Sequence, residues 1–296
     1  MKSKRLGLKE AVSRISSGAS IAIGGSLLRR QPVAIVHEII RQEIRNLQLV
    51  TWATTIATDL LCAADAVRIW EGIYAGFFRH GMAPNFRRGV EQGRIQTRDF
   101  SESALVARFR AAGMGLSFLP GKGLLGTDMA RRNPEQVKPI TCPFTGERYL
   151  ALEAVKTDFT ILHGYVADEF GNVQWPVVRD SDDIDQMMAA ASKRLIVTVE
   201  RIVPHAEICR RPALTYIPHT LVEAVVEVPY GAYPTATDGF YDEDDAALID
   251  YLERVKTPEG ARAYLDEFVR ASPDHAGYLA RHGGTAALRH LDVELA

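Results

Sequence analysis

Two adjacent glycines stand between an apolar run and a pair of arginines in "IAIGGSLLRRQP", residues 21–32, and this stretch is the one best suited to chemistry. Consecutive glycines directly after a buried strand let the backbone approach a ligand, and the start of the following helix offers unpaired N–H groups. Gly24 and Gly25 therefore suit an oxyanion or a phosphate, and Ser26 reads as a turn or N-cap serine. The plainer reading is a strand-to-helix turn, which by itself requires glycine at one of the two positions.

Other motifs are less complete. "GKGLLG", residues 121–126, formally matches the dinucleotide fingerprint, but Pro134 interrupts the segment where a helix would have to open. No phosphate-loop lysine motif and no GxSxG elbow occur. His37 in "HEII" has no second histidine four residues on and reads as an exposed position on a surface helix. Asp168 and Glu169 in "YVADEFGNVQW" read as solvated residues of a hairpin turn, and "PYGAYPTATDGFYD", residues 229–242, reads as an ordered aromatic loop of the kind that borders ligand sites. Cys62, Cys142 and Cys209 form no CxxC pair and show no histidine at zinc-ligand spacing, so they read as small buried hydrophobes in a reducing cytoplasm, with no metal site.

The elements that must position these residues follow from periodicity. "SIAIGG", "NLQLVTWA", "AVRIWEGIY" and "IQTRDF" read as strands. They alternate with helical patterns at "PVAIVHEIIRQEI", "TDLLCAAD", "APNFRRGVEQGR" and "SALVARFRAAGMG". This is the signature of a parallel sheet with crossover helices. A Gly-rich segment without period follows at "PGKGLLGTDMARRNPEQ", then strand-like runs at "YLALEAV", "FTILHGYV", "RLIVTVERIV" and "TLVEAVVEVP". The expected architecture is α/β and parallel-rich, a single domain over 1–296 with a helical cap from about 242 to 296. Lys plus Arg number 35 against 37 Asp plus Glu, so no global field of either sign advertises nucleic acid or an anionic membrane. No run approaches the roughly 20 apolar residues of a membrane span. The expectation is a soluble, cytoplasmic protein.

Taken in order, "GASIAIGGSLLRRQPVAIVHEIIR", "SALVARFRAAGMGLSFLPGKGLLGT", "LHGYVADEFGNVQW" and "VVEVPYGAYPT" resemble the A-type chain of family I coenzyme A transferases, nearest the glutaconate branch and its relatives in steroid-ring degradation. The resemblance implies a B-type (beta) partner of similar fold in a heterodimer or α2β2 tetramer, an active site between the two, and no resident cofactor, coenzyme A being a cosubstrate. It places the attacking glutamate on the B-type partner. It makes Gly24 and Gly25 donors shaping an acyl pocket, and gives Arg29 and Arg30 to a substrate carboxylate as planar forks, unless they are only solvated charge at a helix start. Glu102, before the "RAAGMG" turn, becomes a base or a helix cap, and Lys122 a polar group facing the site. Ser26 stands where typical transferase A chains have phenylalanine after the two glycines, which speaks against the small keto-acid specificity of the acetoacetate branch. Two alternatives remain: a ring-opening hydrolase of a cyclic keto acyl-CoA, in which Glu102 gains importance, and a non-catalytic ligand-binding or scaffold protein of the same fold.

Overall fold

The computed structural model describes residues 1–177 and 183–293. Near-continuous apolar runs make strands covered on both faces, and six of them, joined by the polar edge strand Gln96–Asp99, make seven strands that run parallel. In spatial order these are Val222–Glu227, Leu195–Ile202, Phe159–Ala167, Ser20–Ile23, Leu47–Thr51, Val67–Gly72 and Gln96–Asp99. Two short antiparallel strands, Val173–Gln174 and Thr215–Ile217, extend from the far end of Phe159–Ala167. The parallel-rich α/β architecture is therefore present. Alternation sends Ile21 and Ile23 into the core on one face, with the helix Val33–Arg41, and Ala22 into the core on the other, with Leu105 of the helix Glu102–Gly113.

From Ser20–Ile23 the chain steps outward to Gln96–Asp99, then returns to the opposite side of Ser20–Ile23 with Phe159–Ala167 and steps the other way. Strand order thus reverses between the two central strands. In open parallel sheets ligands bind in the crevice outside the carboxyl ends at such a reversal. Gly24 and Gly25 directly follow Ile23 and stand at that crevice.

Two segments differ from expectation. The stretch read as loop carries a short helix, Asp128–Arg132, and is followed by an unexpected strand, Val137–Thr141, which joins Phe118–Gly121 and Arg148–Glu153 in a small antiparallel sheet. Lys138-Pro139 hid that strand, because proline is confined to sheet edges and this strand is an edge. Val137, Leu150 and Leu152 of the small sheet are buried in the same cluster as Ala22 and Leu162, while Phe118 on its other edge strand and Phe144 in the turn between Val137–Thr141 and Arg148–Glu153 are exposed. The second correction concerns His37, which is fully buried rather than exposed. The C-terminal helices cover the outer side of Val33–Arg41, and Tyr278 meets the His37 ring edge-on at 4.4 Å.

His37, His275 and His282 gather around Tyr278 in this apolar layer. His275 donates from Nε2 to the Tyr230 carbonyl at 2.9 Å, tying the C-terminal helices to the 229–242 loop. Burial drives the His37 imidazole well below its usual range and brings His275 down from 6.5 to about 4. Because the unfolded chain binds these protons more readily, stability is fully present above pH 6.5 and is lost as pH falls toward 4. His275 alone should account for about 3 kcal/mol of that loss. Denaturant midpoints measured at intervals from pH 7 to 4 should therefore fall steadily, and a His275→Gln variant should flatten the slope. An equal slope in both proteins would remove His275 from the explanation.

Candidate functional site at the carboxyl edge of the sheet

The turn after Ile23 is closed tightly by its own backbone. Gly24 N–H donates to the Ile161 carbonyl at 3.0 Å, prolonging the ladder of the two central strands, and Gly25 N–H donates to Asp185 Oδ1 at 2.8 Å. Both N–H groups expected to face an acyl oxygen are thus engaged within the chain. What the glycines provide is room. A Cβ on Gly24 would stand 2.2 Å from Leu162 Cδ2, and one on Gly25, whose φ is +83°, would stand 2.6 Å from the Arg30 carbonyl oxygen. Ser26 is buried and exchanges backbone hydrogen bonds with Arg29 at 3.0 and 2.9 Å, the turn role expected of it.

The two arginines meet two carboxylates. Arg30 is 1% exposed, with Nε 3.2 Å from Asp185 Oδ2 and Nη1 3.1 Å from Asp238 Oδ2 and 3.3 Å from the Tyr165 hydroxyl. Arg29 is 41% exposed and pairs with the other oxygen of Asp238. Tyr165 donates to Asp238 Oδ2 at 2.9 Å. Burial raises the Tyr165 phenol above its ordinary range, with the Arg30 guanidinium only partly opposing it, so the group remains a donor. Two positive and two negative charges are balanced here at close range, which is how buried ions are tolerated. Three distant segments are joined in the process: the glycine turn, the helix Ile184–Ala191 and the 229–242 loop. Backbone bonds between Arg30 N–H and the Ala236 carbonyl, and between Ala236 N–H and the Leu28 carbonyl, both 2.8 Å, lay that loop along the turn.

Beside the cluster opens a cleft of about 1080 Å³ that shares Tyr165 and Asp238 with it and is walled by Trp175, Arg201, Arg210 and Phe240. Its floor includes Glu200, which accepts from His163 Nε2 at 2.7 Å, from the Tyr241 hydroxyl at 2.8 Å and from Tyr230 N–H at 2.7 Å. The 229–242 loop therefore does border the cleft, as its composition suggests.

Glu102 and Lys122 lie on a separate rim. Glu102 is exposed in the first turn of Glu102–Gly113, where the helix dipole favours a carboxylate, but Ser101 is the cap, its hydroxyl accepting from Ala104 N–H at 3.4 Å. The Lys122 loop packs on this helix start, since a Cβ on Gly123 would stand 2.3 Å from Ser103 Oγ. Lys122 Nζ itself turns to Glu147 at 3.1 Å and lies 4.7 Å above the Tyr149 ring. The structure thus joins Gly24, Gly25, Ser26, Arg29 and Arg30 in one network with Tyr165, Asp185 and Asp238. Asp185 lies in no motif, and although Tyr165 and Asp238 fall within the stretches 165–175 and 229–242 noted above, only long-range pairing shows what they meet.

The pattern of the family described as coenzyme A transferase matches residues 6–228. The chain belongs to the coenzyme A transferase family. Within that family it is similar over nearly its whole length to A-type chains. The A-type chain of glutaconate CoA-transferase from Acidaminococcus fermentans is 34% identical over 96% of this chain and 93% of its own. The crystal structure of that transferase superposes with a TM-score of 0.92, covering 99% of this chain and 96% of the other at 32% identity. A cholesterol ring-cleaving hydrolase subunit of Rhodococcus jostii is 29% identical over 92% of this chain and 93% of its own. An uncharacterized protein of Archaeoglobus fulgidus is 36% identical over 98% of this chain, which spans only 65% of that protein's length. Among the described residues no helix is long and apolar enough to cross a membrane.

Proposed function

We propose that this chain is the A-type half of a two-subunit cytoplasmic enzyme that moves coenzyme A between an acyl-CoA and a carboxylic acid. The attacking glutamate belongs to a B-type partner, and no cofactor is resident. The observation that carries this reading is the state of the carboxylates at the switch point: Asp185 and Asp238 are both committed to Arg29 and Arg30. A paired carboxylate is a poor nucleophile, so the group that attacks the thioester has to come from outside this network. The partner's glutamate would attack the acyl carbon and expel coenzyme A thiolate to give an acyl anhydride. The thiolate would attack the glutamyl carbonyl, forming an enzyme thioester and releasing the donor acid. The acceptor acid would then take coenzyme A by the reverse of these two steps. This chain supplies the wall built by the glycine turn and, in Arg29, a half-exposed guanidinium whose fork matches an acid carboxylate. The exposed Phe118 of the small sheet and Phe144 of its turn support the presence of a partner, in a heterodimer or an α2β2 assembly.

Glu102 supports a second reading. An exposed carboxylate at the start of a helix on the carboxyl edge is free to act as a base in ring-opening hydrolysis. The experiment that separates the readings is co-expression with the B-type partner. The isolated chain should be inactive, and the complex should turn over only when an acceptor acid is present. Hydroxylamine should then convert the partner's glutamyl thioester into a hydroxamate with release of coenzyme A, and Glu102→Gln should retain most of the activity. Turnover without an acceptor and a Glu102→Gln loss of more than a hundredfold would establish hydrolysis instead. Saturable binding of CoA esters with no turnover in the complex would leave only a binding role.

A further inference from the structure

Asp168 and Cys209 do not stand where sequence expectation puts them. Asp168, expected as a solvated turn residue, is fully buried, and Cys209, expected as a buried thiol without a histidine partner, is exposed. Asp168 Oδ1 accepts the N–H groups of Phe170 and Asn172 at 3.0 and 2.9 Å, and its Oδ2 accepts from Asn172 Nδ2 at 2.7 Å. The same Oδ2 lies 2.7 Å from His205 Nδ1. The other ring nitrogen, His205 Nε2, lies 3.3 Å from Cys209 Sγ. His205 and Cys209 are four residues apart on the helix His205–Arg210, a spacing that puts them on one face. The Phe170 ring meets the imidazole edge-on at 5.3 Å and helps fix its plane.

A nucleophile, a base within hydrogen-bond reach and a third group that orients the base are the parts of a catalytic triad. Burial alone would raise the Asp168 carboxyl, but the hydrogen bonds from Asn172, His205 and Phe170 hold it below its ordinary range. An ionised Asp168 accepts the proton on Nδ1 and leaves the Nε2 lone pair facing the thiol. The three side chains do not form a group arranged to hold a metal.

We propose that Cys209 is a nucleophilic thiol activated by the Asp168–His205 pair and is a site of covalent modification by small disulfides. In the step, Cys209 gives its proton to His205 Nε2, and the thiolate attacks one sulfur of the disulfide. A Cys209–sulfur bond forms as the original sulfur–sulfur bond breaks, and the leaving thiolate takes the proton from His205. Cys209 is oxidised to a mixed disulfide and the reagent is reduced to one thiol. Attack on sulfur builds no oxyanion, so the step needs only the thiol, a base within reach and access, and the 3.3 Å approach of His205 and the exposure of Cys209 meet those needs.

The test uses the full-length chain with an aromatic disulfide, 5,5′-dithiobis(2-nitrobenzoate), at pH 7, with the modified cysteine assigned by peptide mapping. Cys209 should react first and at least tenfold faster than glutathione under the same conditions. His205→Gln should slow it at least tenfold and Asp168→Asn by a smaller factor, while the rate at Cys142 stays unchanged in both, which separates loss of activation from general unfolding. Cys209→Ser should abolish the fast phase. Reaction of Cys209 no faster than glutathione, a fast phase that maps to Cys142, or an unchanged rate in His205→Gln would overturn the proposal.

Discussion

An Arg30→Met variant should be less stable than the parent by about 3–5 kcal/mol, the usual cost of removing one partner from a buried ion pair. For a chain of this size that lowers the melting temperature by on the order of 10 °C. The reason is specific. Methionine fills much of the space, so packing is largely kept, but Asp185 and Asp238 remain in a network that is 1% and 12% exposed, with Arg29 alone to compensate. Arg30→Lys should fall between the two, because an ammonium restores the charge but cannot reach Asp185, Asp238 and Tyr165 in one planar fork. The revealing combination is Arg30→Met with Asp185→Asn. If the charge argument is right, the double variant recovers part of the loss, so the two effects do not add. Strict additivity would mean that the cluster acts through shape rather than charge.

Gly25→Ala should cost on the order of 3 kcal/mol and reduce turnover of the assembled enzyme more than tenfold. Gly18 provides the control, since its φ of +85° nearly equals the +83° of Gly25, yet a Cβ there meets nothing within 4 Å. Gly18→Ala should therefore show only the backbone penalty, about 1 kcal/mol. At Gly25 the Cβ would also stand 2.6 and 2.7 Å from the carbonyl oxygens of Arg30 and Arg29, and backbone atoms cannot swing aside as a side chain can. Equal unfolding midpoints for the two variants would show that the close approach has no energetic weight. Retained turnover in Gly25→Ala would detach the turn from the site.

Much of this fold is legible because strands buried on two faces are written as apolar runs, and "SIAIGG" is such a run. The resemblance of four ordered motifs adds the family. The small sheet is less visible, as Lys138-Pro139 breaks the pattern of an edge strand. His37 is misleading for a different reason. A polar residue on an amphipathic helix reads as outward, but here a second layer of C-terminal helices covers that side. In the site, the glycine turn and the arginines stand out by local composition. Asp185 and Asp238 do not, because 155 and 208 residues separate them from Arg30, and nothing in "DDIDQ" or "ATDGF" shows which cation each will meet. Asp168 likewise reads as a solvent-facing turn residue, although its hydrogen bonds require the hairpin and the helix His205–Arg210 to be in place together.

The order of the strands also sets a schedule. Ser20 and Asp158, which bond to each other at the base of the two central strands, are 138 residues apart in the chain. At about 5–20 residues per second, a ribosome takes on the order of ten seconds to make the second strand after the first. Throughout that interval Gly24 has no Ile161 carbonyl to meet and Gly25 has no Asp185. The half of the sheet made first can collapse, but the seam that carries the glycine turn closes only when the later half arrives, and the ion cluster closes later still, with Asp238. A nascent chain is therefore an acceptor for misplaced strands at the very edge where the candidate site forms.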